Sequence, residues 1–180
     1  MSSYVQRLVG AAKLDAQIYE EVEADTTAMG QAMGTVVMAS IASGIGAFSA
    51  MGMRGLLFST VASLVGWFVW AFLTFIVGTK IMPEEQTQSD MGELLRTIGF
   101  AASPGLLQVF GFLPRVGPLI GLVTSVWMLA AMVVAVRQAL DYKSTGRAIG
   151  VCLIGFVVYM VALMILGAML GVGAAAVGAL

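Results

Sequence analysis

The stretch GELLRTIGFAASPGLLQVFGFLPRVGP, residues 92–118, decides the fold. Between Arg96 and Arg115 it holds 18 uncharged residues, interrupted by Pro104 and carrying Gln108. It is apolar enough to enter a bilayer and short enough to turn back inside one. A helical span needs about 20 mostly apolar residues to cross roughly 30 Å of hydrocarbon. Counted from Leu94 to Leu113 the stretch meets that length, with Arg96 near its start and free to snorkel to the headgroups. Pro104 and Gly105 would kink a helix here, which membrane helices tolerate when neighbours or waters recover the lost bond.

Working outward, the chain of 180 residues is 59% hydrophobic and only 11% charged, where ordinary soluble domains carry roughly 25% charged residues. A water-soluble fold of this size cannot hide so much apolar surface, so the class is an all-α integral membrane protein. A transmembrane barrel would show alternating segments of about ten residues. The apolar runs here are longer and do not alternate, which points to helices that satisfy their own backbone hydrogen bonds. Besides 94–113, four spans are expected at about 32–53, 55–79, 116–136 and 148–170, the first two separated by Arg54. Residues 171–180 should tilt out, fray or cover a neighbour, because a helix from 148 to 180 would be about 50 Å long.

Charge placement chooses between crossing and re-entry. If 94–113 crosses, Arg7, Lys13, Lys80, Arg96, Arg137, Lys143 and Arg147 share one side, and only Arg54 and Arg115 lie opposite. If it re-enters, the cations divide five against four. The positive-inside rule selects the first arrangement: a five-helix transmembrane bundle, N-terminus cytoplasmic, C-terminus outside. The organisation expected is a cytoplasmic amphipathic acidic helix in residues 1–28 and a five-span membrane domain in 29–180. The first 28 residues lack an early apolar core, so no cleavable secretion signal is visible.

Val5, Leu8, Val9, Ala12, Ala16 and Tyr19 recur at helical spacing, which predicts one amphipathic helix over 5–28. Its polar face pits Arg7 and Lys13 against Asp15, Glu20, Glu21, Glu23 and Asp25. Such an acidic face would be repelled by anionic lipid, so it is expected to pack on protein. The loop 137–147, with Arg137, Lys143 and Arg147 against Asp141, is the complementary surface. Asp90 and Glu93 in DMGE read as a capping box that starts the helix carrying Arg96.

Within the spans, small residues recur every fourth position at Ala42, Gly46 and Ala50, at Gly117 and Gly121, and at Gly167 and Gly171, a spacing that lets backbones approach closely. Trp67, Trp70 and Thr74 share one face of the second span. These tryptophans and Trp127 sit away from the interfaces and should pack within the bundle. Histidine is absent and cysteine occurs once, at Cys152, so an internal disulfide is excluded and the commonest general base is missing. No ionisable residue lies mid-span, where ion-coupled transporters keep theirs. Neither a nucleophile with its base nor a phosphate-cradling loop is present. No enzyme and no cofactor is expected. The one metal reading is a hard cation held by Glu21 and Asp25, four apart on one helix side.

Four stretches together, LDAQIYEEVEAD (14–25), GWFVWAFLTFIVGTK (66–80), GELLRTIGFAASPGLL (92–107) and RQALDYKSTGRAIGVCLIGF (137–156), resemble the Yip domain family, in particular its prokaryotic branch. The resemblance covers nearly the whole chain through membrane-helix edges rather than a catalytic signature. It implies five spans, a cytoplasmic N-terminus and a non-enzymatic scaffold. Eukaryotic members bind prenylated Rab-type small GTPases and associate with one another. GTPase binding is implied here by that analogy alone, and the long N-terminal region of those members is reduced to about 28 residues. The family-like positions are Tyr19, Glu20, Glu21, Glu23, Asp25, Arg96, Pro104, Asp141, Tyr142 and Arg147.

The expected function is therefore an integral membrane scaffold of a bacterial inner membrane. It would recruit a protein partner or self-associate through Tyr19, Glu20, Glu21, Glu23, Asp25, Glu93, Arg96, Arg137, Asp141, Tyr142 and Arg147. No nucleic-acid partner is expected. The alternative is a small permeation or lipid-handling protein with a groove around the kinked third span, lined by Ser103, Pro104, Gly105 and Gln108, where the Ser103 hydroxyl would satisfy backbone freed by the proline.

Overall fold

Ser3 opens the first helix, α1 (Tyr4–Ala12), through a capping box in which its hydroxyl accepts from the Gln6 N–H and the Gln6 side chain returns the bond. The helix stops where Leu14 takes a left-handed φ of 63°, and Asp15 then caps α2 (Ala16–Ala24) by accepting from Gln17 N–H. The single helix expected over 5–28 is thus two, followed by a 3₁₀ turn at Thr26–Ala28. An aspartate competes with helical backbone when mid-helix and satisfies it when at a cap. The break folds α2 back on α1, so close that a Cβ on Gly10 would lie 2.5 Å from Ile18. Tyr19 is fully buried and donates to the Ala11 carbonyl at 3.1 Å.

The computed structural model describes residues 2–169, with backbone alone for 47, 49–52, 54–59, 62, 63, 162, 163 and 166–169. Beyond α2 the long elements are helices joined by short loops: α3 (Met29–Ile76), α4 (Met91–Ala101), α5 (Gly117–Ala139) and α6 (Thr145–Met169). A π turn, Val77–Ile81, continues α3, and a 3₁₀ run, Ser103–Phe112, follows α4.

Straight, the 48 residues of α3 would reach about 72 Å, more than twice a bilayer's core. The helix is not straight. Ala32 lies against Gly99, while Val77 shares a buried cluster with Leu94 and Ile98. Leu94 and Gly99 are about 7.5 Å apart along α4, so the chain must double back between its two limbs. The reversal falls between Gly46 and Leu64, the ends of two segments long and apolar enough to cross a membrane, Thr26–Gly46 and Leu64–Ile81.

Residues 92–118 do not form a kinked α-helix. Helix α4 ends at Ala101 and the chain changes to 3₁₀ geometry at Ser103, with Pro104 in its first turn. A 3₁₀ helix rises about 2.0 Å per residue against 1.5 Å, so the ten-residue run travels about 20 Å. The stretch gains reach without more residues. Its path is set by contacts with the first limb of α3: Gly99 on Ala32, Gly105 on Ala39, and Gln108 and Gly111 on Gly46. The two run side by side in the same direction.

Helix α5 turns back at Gly117, packed against the Gly111 carbonyl, and passes Met128 beside Gly105. Its end lays Val136, Ala139 and Leu140 on Leu94 and Val77. α5 is the third segment able to cross a membrane by length and composition. Helix α6 then ascends beside the second limb, with Cys152 in the cluster around Ala71 and Phe156 against Trp70. Cys152 is buried packing. Of the small-residue pattern, Gly46 is filled by the 108–111 backbone and Gly117 by Gly111, while Gly121 faces open space. The Ala50 and Gly167 side-chain positions and Gly171 fall outside the described set, as does the tail 171–180.

Helix α1 inverts the expected amphipathicity. Arg7, Gly10 and Ala11 are buried, while Val5 and Val9 are 65% and 47% exposed. The reason is what the helix packs against. Tyr4 packs on Phe100 and bonds Thr35, and the Trp127 indole donates to the Ala12 carbonyl at 2.6 Å. α1 lies alongside the membrane-competent helices rather than beyond them.

Candidate functional site

Two arginines tie the N-terminal helix pair to the bundle. Arg7, 2% exposed, donates to Glu21 at 2.8 Å, to Asp25 at 2.7 Å and to Gln31 of α3 at 3.0 Å. Glu21 also accepts from the backbone and hydroxyl of Ser2. Hydrogen bonds from Ser2 and then Arg7 hold the Glu21 carboxyl down at about 2. Thr27 first and Arg7 second lower Asp25. Burial pulls the Arg7 pKa down, but its bonds to Glu21 and Asp25 outweigh it and the net movement is up. The i, i+4 carboxylates read as a cation pair do hold a cation: the guanidinium of Arg7. Among the described residues, no group of three His, Cys, Asp or Glu side chains is placed to hold a metal ion.

Arg96 does not snorkel to headgroups. It is 5% exposed and turns inward, donating through Nε to the carbonyls of Val22 at 3.0 Å and Glu23 at 3.1 Å, with Nη2 also on Glu23. A cation here satisfies carbonyls that the end of α2 leaves unpaired and complements its dipole. Asp90 and Glu93 form the capping box read from DMGE, each side chain accepting the other's backbone N–H at 2.8 Å. The cap aims α4 so that Arg96, one turn later, meets α2.

Where α2, the start of α4, the end of α5 and the α5–α6 loop converge, they enclose a cavity of about 540 Å³. Glu20, Glu23, Glu93 and Asp141 line it together with Arg137 and Lys143, with Tyr142 in its wall. Burial, then the charges of Asp141, Glu93 and Glu20, push the Glu23 carboxyl up to about 7, with Arg96 pulling weakly the other way. Asp141 sits at a left-handed φ of 52°, a conformation its short polar side chain tolerates. Tyr142, 3% exposed, places its hydroxyl 2.9 Å from the Gly78 carbonyl and 2.8 Å from that of Met82. Burial raises its pKa to about 12. The loop is thereby fastened to the π turn that ends the second limb of α3.

The expected pairing of the acidic N-terminal segment with the basic loop is realised differently. Among the described residues the direct bridge is made by Gln138, donating to Glu20 at 2.8 Å. Arg147 goes to Glu84 at 3.4 Å and to the Pro83 carbonyl at 2.7 Å. The Lys143 N–H also bonds Glu84, and Arg137 caps the carbonyls of Tyr142 and Lys143. At the first turn of α6, Arg147 faces the end of the second limb rather than α2. Of the residues expected to act together, the cavity gathers Glu20, Glu23, Glu93, Arg137, Asp141 and Tyr142. Tyr19, Glu21, Asp25, Arg96 and Arg147 stand outside it as fasteners. Arg7, Glu84 and Gln138 were not anticipated. Arg7 had one legible signal, two carboxylates at i, i+4 needing a counter-ion.

A second cavity, of about 280 Å³, lies inside the bundle, between the two limbs of α3 and the α4–3₁₀ segment. Gly105 and Gln108 line it, with Trp67, Trp70 and Tyr159. Ser103 and Pro104 are buried but not among its walls, and the Ser103 hydroxyl has no hydrogen-bond partner among the described residues, so it does not repair the backbone freed by Pro104.

The Yip1 domain family model matches residues 17–167, from the first turn of α2 almost to the end of the described chain. The chain belongs to the Yip1 domain family. The matched region of this Yip1 domain contains every residue lining the charged cavity and every one lining the inner cavity. No curated protein and no solved structure matches the chain. With its three membrane-competent helical segments, this Yip1-family chain is an integral membrane protein.

Proposed function

We propose that this Yip1 domain is a non-enzymatic membrane scaffold that engages a protein partner, or a second copy of itself, at the charged cavity. The observation that carries this reading is the cavity itself: four carboxylates and two cations around about 540 Å³, walled by elements that Arg7, Arg96 and Tyr142 lock in place. Such a mouth, lined by carboxylates, an arginine and a lysine, suits recognition of a charged segment. The chain crosses the bilayer five times in this proposal, the 92–118 stretch forming the third crossing. The charged end faces the cytoplasm of a bacterial inner membrane, because Lys80, Arg96, Arg137, Lys143 and Arg147 gather there and Arg115 lies at the far end. Exposed Val5 and Val9 then face lipid.

A photo-crosslinking residue in place of Glu20, activated in native membranes and followed by mass spectrometry, tests the reading. A specific protein adduct or self-adduct that disappears when Lys143→Glu is added supports it. Adducts to lipid alone would overturn it. The alternative of permeation or lipid handling draws support from Gly105 and Gln108 lining the inner cavity. Solute flux or lipid scrambling in liposomes that falls in Gln108→Leu would place it first.

A further inference from the structure

The turn between α1 and α2 lies far from the charged end. The Ala12 carbonyl accepts the Trp127 indole N–H. Along α5, Trp127 stands about 15 Å from Gly117 and about 18 Å from Ala139, at 1.5 Å per residue. Because α5 is long and apolar enough to cross a membrane, that is near mid-depth of the bilayer it crosses. Other contacts agree. α1 touches the 3₁₀ run Ser103–Phe112, and Ala11 and Tyr19 share a buried cluster with Ala131 and Ala135. At its far end α2 meets Gln138 through Glu20 and Arg96 through the Val22 and Glu23 carbonyls. The helix therefore runs alongside the second half of α5, starting deep and finishing at the charged end.

Exposed apolar side chains mark how far the hydrocarbon extends. Ala39 of the first limb packs on Gly105 together with Met128, at the level of Trp127. Met33 is exposed and lies about 9 Å nearer the charged end, and Val5 and Val9 of α1 are exposed too. The lipid-facing belt thus passes the hairpin's turn on its way to the charged end. The turn and the outer face of α2 are nonetheless polar and open, with Lys13, Asp15, Gln17 and Glu20 all exposed. Lys13, Gln17 and Glu20 share one helical face, a stripe that climbs from the turn to the charged cavity, which Glu20 lines.

A lysine at such a depth is tolerated when it pairs, snorkels, or draws the polar layer of the bilayer down to it. Pairing is not available among the described residues, where Glu21 and Asp25 hold Arg7 and Glu84 holds Arg147. Snorkelling reaches no further than the side chain's own stem, well short of the end of α5. We infer that the α1–α2 hairpin is sunk into the leaflet on the charged side, where its polar stripe holds the headgroup of a zwitterionic phospholipid, the phosphate on Lys13 and the ammonium on Asp15. The stripe selects that lipid by charge. One cation beside two acids meets a phosphate and an ammonium together, whereas a lipid of net negative charge finds Lys13 but is repelled by Asp15 and Glu20. The inference rests on α5 crossing the bilayer and is independent of the scaffold reading.

Two measurements on the full chain test it. Nitroxide labels at Gln17→Cys and at Leu129→Cys, each in a Cys152→Ser background, compare two exposed positions at similar depth. In vesicles of phosphatidylethanolamine and phosphatidylglycerol, power saturation should show position 17 open to a water-soluble nickel chelate and position 129 open chiefly to oxygen. Hydrocarbon at both positions would overturn the inference, because the polar layer then stays level. Water at both would overturn it as well, because that half of α5 then stands outside the bilayer. Native mass spectrometry in detergent reads the headgroup. Phosphatidylethanolamine should bind about fivefold more tightly than phosphatidylglycerol or diacylglycerol of the same chains, the worth of two partly exposed ion pairs. Lys13→Gln/Asp15→Asn, which keeps a capping side chain at position 15, should bring the three lipids to parity. Equal binding by the unmodified protein, or an undiminished preference in the double variant, refutes the headgroup assignment.

Discussion

Glu23 carries the charged cavity's pH response. Its carboxyl ionises at about 7 in the folded chain against an ordinary value of 4.5. Between those values the unfolded chain has released the proton that the folded chain still holds, so stability falls as pH rises through that window and levels off above it. Glu21 and Asp25 are shifted downward. Their contribution is present above their unfolded values and lost only as pH falls further, so the two effects occupy separate ranges. The thermal midpoint in detergent should therefore drop from pH 5 to pH 8, and Glu23→Gln should flatten that drop. A variant that keeps the same slope would assign the titration elsewhere. Arg96 is the second informative side chain. Arg96→Leu leaves the Val22 and Glu23 carbonyls without their charged donor, at a cost of about 1.5–3 kcal/mol. Hydrogen exchange over residues 16–25 should accelerate more than over α5. Uniform acceleration would mean that the arginine serves the whole bundle rather than α2. That Arg96 turns inward was not legible, because snorkelling and helix capping demand the same residue near a helix start. The choice depends on α2 lying overhead.

At the scale of elements, periodicity located the apolar segments and misjudged how they are built. The DMGE cap was legible because both partners sit three residues apart in one turn. The break at Leu14 was not, since a leucine at positive φ has no local signature, and it is the fold-back of Ile18 onto Gly10 that holds it there. The 3₁₀ run after Pro104 was hidden for a related reason: proline announces an irregularity, but whether the chain kinks or rewinds is settled by the neighbouring limb. Gly46 is where that neighbour presses hardest, since any Cβ there would overlap the Gln108 carbonyl. Gly46→Ala forces the 3₁₀ run and the first limb apart and should lower stability by about 1–3 kcal/mol. Gly121→Ala, in open space, should leave it unchanged within about 0.5 kcal/mol. Equal effects at the two glycines would refute the close pairing of residues 105–111 with 39–46.

Seen whole, the chain divides its polarity between two ends of one helical bundle. Nearly every charged side chain with a described partner lies at the end where α2, α4, α5 and the α5–α6 loop meet, and Arg115 stands at the other. The membrane class and the Yip1 family were both legible in the sequence, the first from composition and the second from stretches at the helix edges. Side-chain assignments within the charged end were not, because the same loops offer several cations and several acids, and only three-dimensional register pairs Arg147 with Glu84 and Gln138 with Glu20. Both cavities depend on the third apolar stretch running the full depth of the first limb. With the five crossings proposed above, that path would put Arg115 and Lys143 on opposite sides of the bilayer. Single cysteines at these two positions, in a Cys152→Ser background, can be probed in intact cells with a membrane-impermeant maleimide. The account predicts labelling at position 115 from outside and at position 143 only after the membrane is opened. Labelling of both positions from the same side would contradict it.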